Sequence, residues 1–264
     1  MDLSPLLQDY DHVLLDLDGC VWVSDELTPG ADEALAALRA ARRTVSFVTN
    51  DAARAPEEYV RKLWSLGLRA ALEEVVTVGA AMQFLLAERP RAPAFVIGSP
   101  AIHRHVADAG QRIVNGTPQA PEAELVVVAM HERLDYEELR VATQALLGGA
   151  EMLAAGLDRT FPTADGPSPG TGMLVAALEH ATGVRARSAG KPDPLIFATA
   201  LDRIGPGASL VIGDRLDSDL AGAAAAGLDG AIVLTGVTDR ATAEAATDPA
   251  PVAIADSLHD LVLA

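Results

Sequence analysis

Short runs of leucine and β-branched residues alternate along this chain with longer alanine-rich stretches whose apolar positions recur at helical spacing. That alternation is the pattern of parallel βαβ units. The first run, His12-Val-Leu-Leu-Asp16, ends on an acid. Thr28 and Pro29 then open a predicted helix in which Ala31, Ala34, Leu35 and Leu38 fall at i, i+3, i+4 and i+7. A second strand is predicted over Thr44 to Val48 and stops at Thr49-Asn50. Towards the other end the pattern returns, with a helix from about Asp193-Pro194, a strand over Ser209 to Ile212, a helix from about Ser218 to Gly227, and a strand over Ala231 to Leu234. Between these halves lies a block with strands of its own at Ala94 to Ile97 and Leu125 to Val128, each followed by a helix-like stretch. The expected organisation is an α/β parallel-sheet core formed by residues 1–80 and 184–264, interrupted by an inserted α/β domain over 81–183.

Length and composition narrow the function classes. The 264 residues suffice for two modest α/β units. Half of them are hydrophobic and only 4% aromatic, which suits closely packed alanine-rich helices. A net charge of -17 repels phosphate polymers and anionic headgroups, so neither nucleic acid nor a membrane surface is the expected partner. A small anionic substrate would need local positive charge. One cysteine, Cys20, cannot form an internal disulfide, and the N-terminus has no basic flank followed by an apolar stretch, so a reducing cytoplasm is the default expectation. No run of 18 apolar residues occurs, and Glu122 to Met130 has strand length rather than membrane length.

Each predicted strand leads into a polar cluster, and in open α/β sheets the ligand crevice lies at the carboxyl ends of the strands. Asp16-Leu17-Asp18-Gly19 places two acids at i and i+2, which an extended strand end points to one side. Thr49-Asn50 offers a hydroxyl and an amide able to donate to phosphate oxygens. Gly190-Lys191-Pro192 sets an ammonium just ahead of a helix, and Gly213-Asp-Arg-Leu-Asp-Ser-Asp219 is an acid-rich loop leading into another. Singly, each has an ordinary reading. Asp214 and Asp219 suit a helix N-terminus through capping and the dipole, and Lys191 suits a surface. Order and spacing together point to one convergent site.

This ordered set resembles the four motifs of the haloacid dehalogenase-like superfamily, matched by Asp16/Asp18, Thr49, Lys191 and Asp214/Asp219. The insert between the second and third motifs, Ser168-Pro-Gly-Thr-Gly172 ahead of a helix, and Leu234-Thr-Gly-Val-Thr238 are similar to the branch that holds nitrophenylphosphatase-like, pyridoxal phosphate and phosphoglycolate phosphatases. The resemblance implies a Rossmann-like core with an α/β cap. It further implies two-step phosphoryl transfer, in which Asp16 attacks phosphorus and Asp18 protonates the leaving oxygen, then activates water. A carboxylate approaching a phosphate at 4 Å meets roughly 4 kcal/mol of repulsion per charge pair at an effective dielectric of about 20. Mg2+ held by Asp16, the backbone carbonyl of Asp18 and Asp214 would offset it, with Lys191 adding a further charge. Thr49, Asn50 and Lys191 are the expected phosphate-binding residues, and Asp219 is expected to orient the metal's surroundings or Lys191.

Other residues are read beside these. Cys20 stands where the family more often has threonine. A cysteine-based phosphatase would need an arginine six positions on, where this chain has Glu26, so Cys20 is read as a packed small residue. Asp51 replaces a common asparagine and would tune selectivity or face solvent. His103 and His105, two apart on a helix, make a poor metal pair and are expected on a solvated surface. Gly170-Thr-Gly172 is either a helix-start turn or an anion site. Arg159 or Phe161 would select substrate, with a core role for Phe161 as the alternative. The expected activity is a Mg2+-dependent phosphatase acting on a small phosphorylated metabolite, with a homodimer conceivable. Its rivals are a phosphotransferase or mutase with the same intermediate, and a non-catalytic phosphometabolite-binding protein.

Overall fold

The computed structural model describes residues 3–131, 133–163 and 166–263. The chain divides into two compact units. One comprises Met1–Thr49, Pro56–Val76 and Lys191–Ala264, the other Asn50–Ala55 and Thr77–Gly190. The divisions fall at 76/77 and 190/191, whereas the sequence pattern suggested 80/81 and 183/184. The strand Ala186–Ser188 accounts for the second shift, because it pairs with Glu151–Ala154 inside the second unit.

The first unit is built on a six-stranded sheet in the order Ala253–Ala255, Asp229–Val233, Ser209–Gly213, His12–Leu15, Thr44–Thr49, Val75–Thr77. The first five of these run parallel to their neighbours. The central strand His12–Leu15 is buried throughout, as a parallel strand covered on both faces should be. Val13 and Leu15 join Phe47, Leu35, Leu38 and Leu258 in the cluster beneath the helices Ala31–Ala40 and Leu258–Val262. Leu14 points to the other face, since side chains alternate along a strand, and the helix Leu195–Ile204 packs against the neighbouring Thr44–Thr49. Register brings Leu15 level with Phe47 on one side and Ile212 on the other, so these three strands end together. Strand order reverses between His12–Leu15 and Ser209–Gly213, which makes the gap beyond their carboxyl ends the switch point where α/β sheets hold ligands.

Two helix starts differ from the sequence expectation. The first helix begins at Ala31 with Gly30 as its N-cap in the left-handed region, at φ 68°. A Cβ on Gly30 would lie 2.6 Å from the His259 ring. Thr28 is therefore not the cap; its hydroxyl donates to the carbonyl of Cys20 at 2.7 Å and ties down the loop after the first strand. The helix expected from Ser218 begins earlier, as a π-helical turn over Leu216–Leu220 that continues into Ala221–Ala225. Widened turns of this kind occur often at functional sites.

The second unit holds a five-stranded, wholly parallel sheet in the order Ala186–Ser188, Glu151–Ala154, Leu125–Val128, Pro93–Ile97, Arg112–Ile113. Phe95, Ile97, Val126, Val128, Met152 and Ala154 face the helices Tyr136–Leu147 and Thr171–Thr182. The helices Val78–Ala87 and Pro100–Asp108 pack on one another and contribute nothing to that cluster. Their starts follow the sequence rules. Thr77 caps the first through the amide of Ala80, and Ser99 caps the second, which has Pro100 in its first turn. Asp135 and Glu138 form a reciprocal capping box on Tyr136–Leu147. Among the described residues, no helix is long and apolar enough to cross a membrane.

Leu15 is fully buried directly ahead of Asp16. Leu15→Ala should destabilise the protein by about 2–5 kcal/mol through lost burial and a residual cavity, read as a lower denaturant midpoint at unchanged slope.

Candidate active site

The strand ends bring four of the sequence-predicted side chains together. Asp16 follows His12–Leu15, and its amide donates to the carbonyl of Ile212 at 2.9 Å, which fixes it level with Gly213-Asp214. Lys191 is 3% exposed, and its ammonium donates to Asp16 Oδ1 at 2.5 Å, to Asp219 Oδ1 at 2.7 Å and to the carbonyl of Val48 at 3.3 Å. The surface reading of Lys191 is therefore excluded. Asp219 sits in the π-helical turn, where its other oxygen accepts from the amide of Arg215 at 3.1 Å. Asp16, Asp214 and Asp219 each place a carboxylate oxygen within 4.8 Å of the others.

Asp214 is 2% exposed and gripped by the loop that follows Asp229–Val233. Its Oδ2 accepts from the amide of Val237 at 2.7 Å, and its carbonyl accepts from the amide of Thr238 at 3.1 Å. Its Oδ1 is buried with no hydrogen-bond partner. The approach depends on absent side chains: a Cβ on Gly236 would lie 2.0 Å from Asp214 Oδ2, and one on Gly213 2.2 Å from Asp219 Cγ. The Thr235 hydroxyl, donating to the carbonyl of Gly19 at 2.5 Å, closes the loop onto the first motif.

Burial dominates the electrostatics. It pushes the Asp16 carboxyl well above the usual carboxylate range; the neighbouring Lys191 ammonium pulls it back, while Asp219 and Asp214 add to the rise. Asp214 is pushed up to about 6, by burial first and the charge of Asp219 second. Burial by itself would lower Lys191, but attraction and hydrogen bonds from Asp16 and Asp219 leave it above the ordinary lysine value. Three carboxylates against one ammonium make the site an attractor for cations.

The remaining predicted residues lie differently. Asp18 is exposed and outside the carboxylate cluster; its Oδ1 accepts from the indole Nε1 of Trp22 at 2.8 Å. Thr49 is buried at the end of its strand. Asn50, next in the chain, falls in the second unit, where its amide donates to Asp158 Oδ2 at 3.2 Å. Asp51 accepts from the amide of Ala53 at 2.8 Å, as a turn-forming residue does.

Cys20 is fully buried, its thiol pushed well above its usual value by burial, in keeping with the packed reading. The two histidines depart from the solvated expectation, since both are only partly exposed. His105 Nδ1 lies 2.7 Å from Gln83 Oε1 and covers Gly79, where a Cβ would be 2.4 Å from its ring. Burial pushes His103 down. Gly170 and Gly172 spend their amides on the carbonyls of Arg159 and Asp158, both at 2.9 Å, which makes this segment a helix-start turn rather than an anion cradle. Arg159 is exposed, and the side chain of Phe161 lies outside the described residues. The sequence reading missed Trp22 as part of the site; Gly213 and Gly236 stood inside the runs it singled out, but without a role of their own.

Comparison with known proteins agrees with this geometry. Residues 13–112 match the family model of haloacid dehalogenase-like hydrolases, and residues 188–261 match a second, HAD-hydrolase-like model. The chain is 40% identical over 237 residues to D-glycerol 3-phosphate phosphatase of Mycobacterium tuberculosis, covering 89% of this chain and 66% of that protein. It thus spans just under two thirds of that relative's length. It is 30% identical over 235 residues to acid sugar phosphatase of Staphylococcus aureus, covering 88% of this chain and 89% of the relative. Among solved structures, the mycobacterial glycerol phosphate phosphatase in complex with magnesium superposes with a TM-score of 0.88 at 36% identity, over 98% of this chain and 78% of that one. The p-nitrophenyl phosphatase of Archaeoglobus fulgidus does so with a TM-score of 0.87 at 32% identity, over 96% and 98%. Two family models over residues 13–112 and 188–261, and a relative 30% identical that is matched along 89% of its length, place the chain in the haloacid dehalogenase-like hydrolase family.

Proposed function

We propose that this chain is a magnesium-dependent phosphatase that hydrolyses a small phosphorylated metabolite through a phosphoaspartate on Asp16. Sugar phosphates, glycerol phosphate, phosphoglycolate and phosphorylated cofactors are the candidate substrates, the first two favoured by the names of the relatives. The observation that carries the reading is the convergence of Asp16, Lys191, Asp214 and Asp219 at the switch point of the sheet. The enclosed Asp214 Oδ1, a buried acceptor with no partner, fits a hard divalent cation, which takes oxygen ligands. Asp16, Asp214 and the carbonyl of Asp18 would hold Mg2+, which when bound supplies positive charge against the phosphate oxygens.

The chain's own groups then have distinct tasks. Lys191, anchored by Asp219, turns its ammonium to the phosphate and lowers the repulsion that Asp16 meets. Thr49 and Asn50 donate to phosphate oxygens. Asp16 forms the new oxygen–phosphorus bond as the ester bond breaks, and Asp18 passes a proton to the departing oxygen. Asp18 then takes a proton from the water that cleaves the phosphoaspartate, which returns both residues to their starting states.

Inorganic phosphate release from a panel of small esters should require Mg2+, stop on chelation, and fall by more than about 10³-fold in Asp16→Asn, as loss of a nucleophile does. Release that survived the substitution would remove Asp16 from the mechanism. A second expectation follows from Asp214, raised to about 6. In the metal-free protein this group's contribution to stability is greatest at low pH and is lost as pH rises through about 6, where a bound proton gives way to an uncompensated charge. Added Mg2+ should therefore raise the thermal midpoint clearly at pH 7.5. At pH 5 the gain should shrink, because protons compete for the same oxygens.

A further inference from the structure

The geometry points to Trp22 as the residue that positions Asp18 for proton donation, an inference that rests on the hydrolase reading above. Asp18 is exposed, and an exposed aspartate samples several rotamers unless something holds it. Trp22 supplies that hold from a buried position: the residue is 1% exposed, and its Nε1 donates to Asp18 Oδ1 at 2.8 Å. The backbone sets the pairing. The amide of Gly19 donates to the carbonyl of Trp22 at 2.7 Å, the amide of Trp22 donates to the carbonyl of Leu17 at 3.1 Å, and Asp18 and Trp22 form an isolated bridge. The loop therefore folds back so that residue 22 sits under residue 18.

The indole is itself fixed. It stacks on Tyr59 with the rings within 1° of parallel and centroids 6.5 Å apart. The Lys62 ammonium lies 4.4 Å from its centroid and is held there by the carbonyl of Ser24 at 2.6 Å and by Asp25 at 3.3 Å. A cation over the π face draws electron density from the ring and makes its N–H a better donor.

The chemical consequence comes from the donor-only character of indole. Oδ1 of Asp18 is an acceptor whether the carboxyl is protonated or not, so the transferable proton resides on Oδ2. In the first step the Asp16 oxygen bonds to phosphorus, the electron pair of the ester bond passes to the departing oxygen, and that oxygen takes the Oδ2 proton. Trp22 touches none of the reacting atoms. It acts through Asp18 and is a positioning residue.

The test separates esters by their need for that proton. An alkoxide leaves poorly without protonation, whereas nitrophenolate leaves readily. kcat/KM is compared for p-nitrophenyl phosphate and for whichever of glycerol 3-phosphate and glucose 6-phosphate the native protein hydrolyses faster. The proteins are native, Trp22→Phe, and a form carrying benzothienylalanine at position 22, which keeps the shape of tryptophan and replaces only the N–H by sulfur. In both altered proteins kcat/KM for the alkyl ester should fall by about 10-fold or more, within the range general acids contribute, while the aryl ester loses no more than about 3-fold. If Trp22→Phe is unfolded by its thermal melt, the isostere decides alone. Equal losses on the two esters, or none on either, would overturn the positioning role and leave the hydrolase reading intact. A native protein inactive toward every ester would overturn that reading, and this inference with it.

Discussion

The burial of three carboxylates around a single ammonium is the constraint from which the rest of the core follows. Asp16, Asp214 and Asp219 each place a carboxylate oxygen within 4.8 Å of the others, and the Lys191 ammonium bonds to two of them. At an effective dielectric of about 20, two like charges 4 Å apart cost roughly 4 kcal/mol. Such a group persists only if a rigid frame holds it and another charge completes it. The frame is the parallel sheet, whose strands bury both faces and end level with one another. The missing positive charge is what a divalent cation would supply.

Close approach at this density excludes ordinary side chains, and the loops around the acids show it. Gly213 and Gly236 leave space that Asp219 and Asp214 occupy, so a methyl group at either would collide with a carboxylate. The π-helical turn over Leu216–Leu220 serves the same end, since a widened turn lets Asp219 reach inward to Lys191 while Arg215 caps it from the backbone.

The second unit shows how little of that constraint applies away from the chemistry. Three of its helices begin at Thr77, Ser99 and Asp135, each acting as an ordinary cap, and its sheet packs on an aliphatic core. Its irregular part is the segment around Leu157 to Arg159, packed against Gly170 and Gly172 so closely that both glycine amides bond to its carbonyls. The Asp158 carboxylate is held as well, accepting from the Asn50 amide at 3.2 Å.

Periodicity determined part of the elements: runs such as His12 to Leu15 and Leu125 to Val128 read as strands because a strand buried on both faces is continuously apolar, whereas Glu151–Ala154 and Ala186–Ser188 emerged only with the fold. The order of the four polar clusters pointed to the family and to the residues that meet at the site, because ligand sites in open α/β sheets form at strand ends and each cluster follows one. Local pattern opened the first helix at Thr28-Pro29 rather than at Ala31, because nothing local shows that the Thr28 hydroxyl satisfies a loop carbonyl eight residues earlier. It also missed Trp22, since no spacing rule says that a chain reverses on itself so that an indole meets a carboxylate four residues earlier. Lys191 could be read as surface or site until the fold enclosed it between Asp16 and Asp219, 175 and 28 residues away in the chain. Sequence records which groups are available and how each segment repeats. Which charges are stripped of water and set against one another is decided by tertiary packing, because desolvation and Coulomb energies depend on distances that only the folded chain possesses.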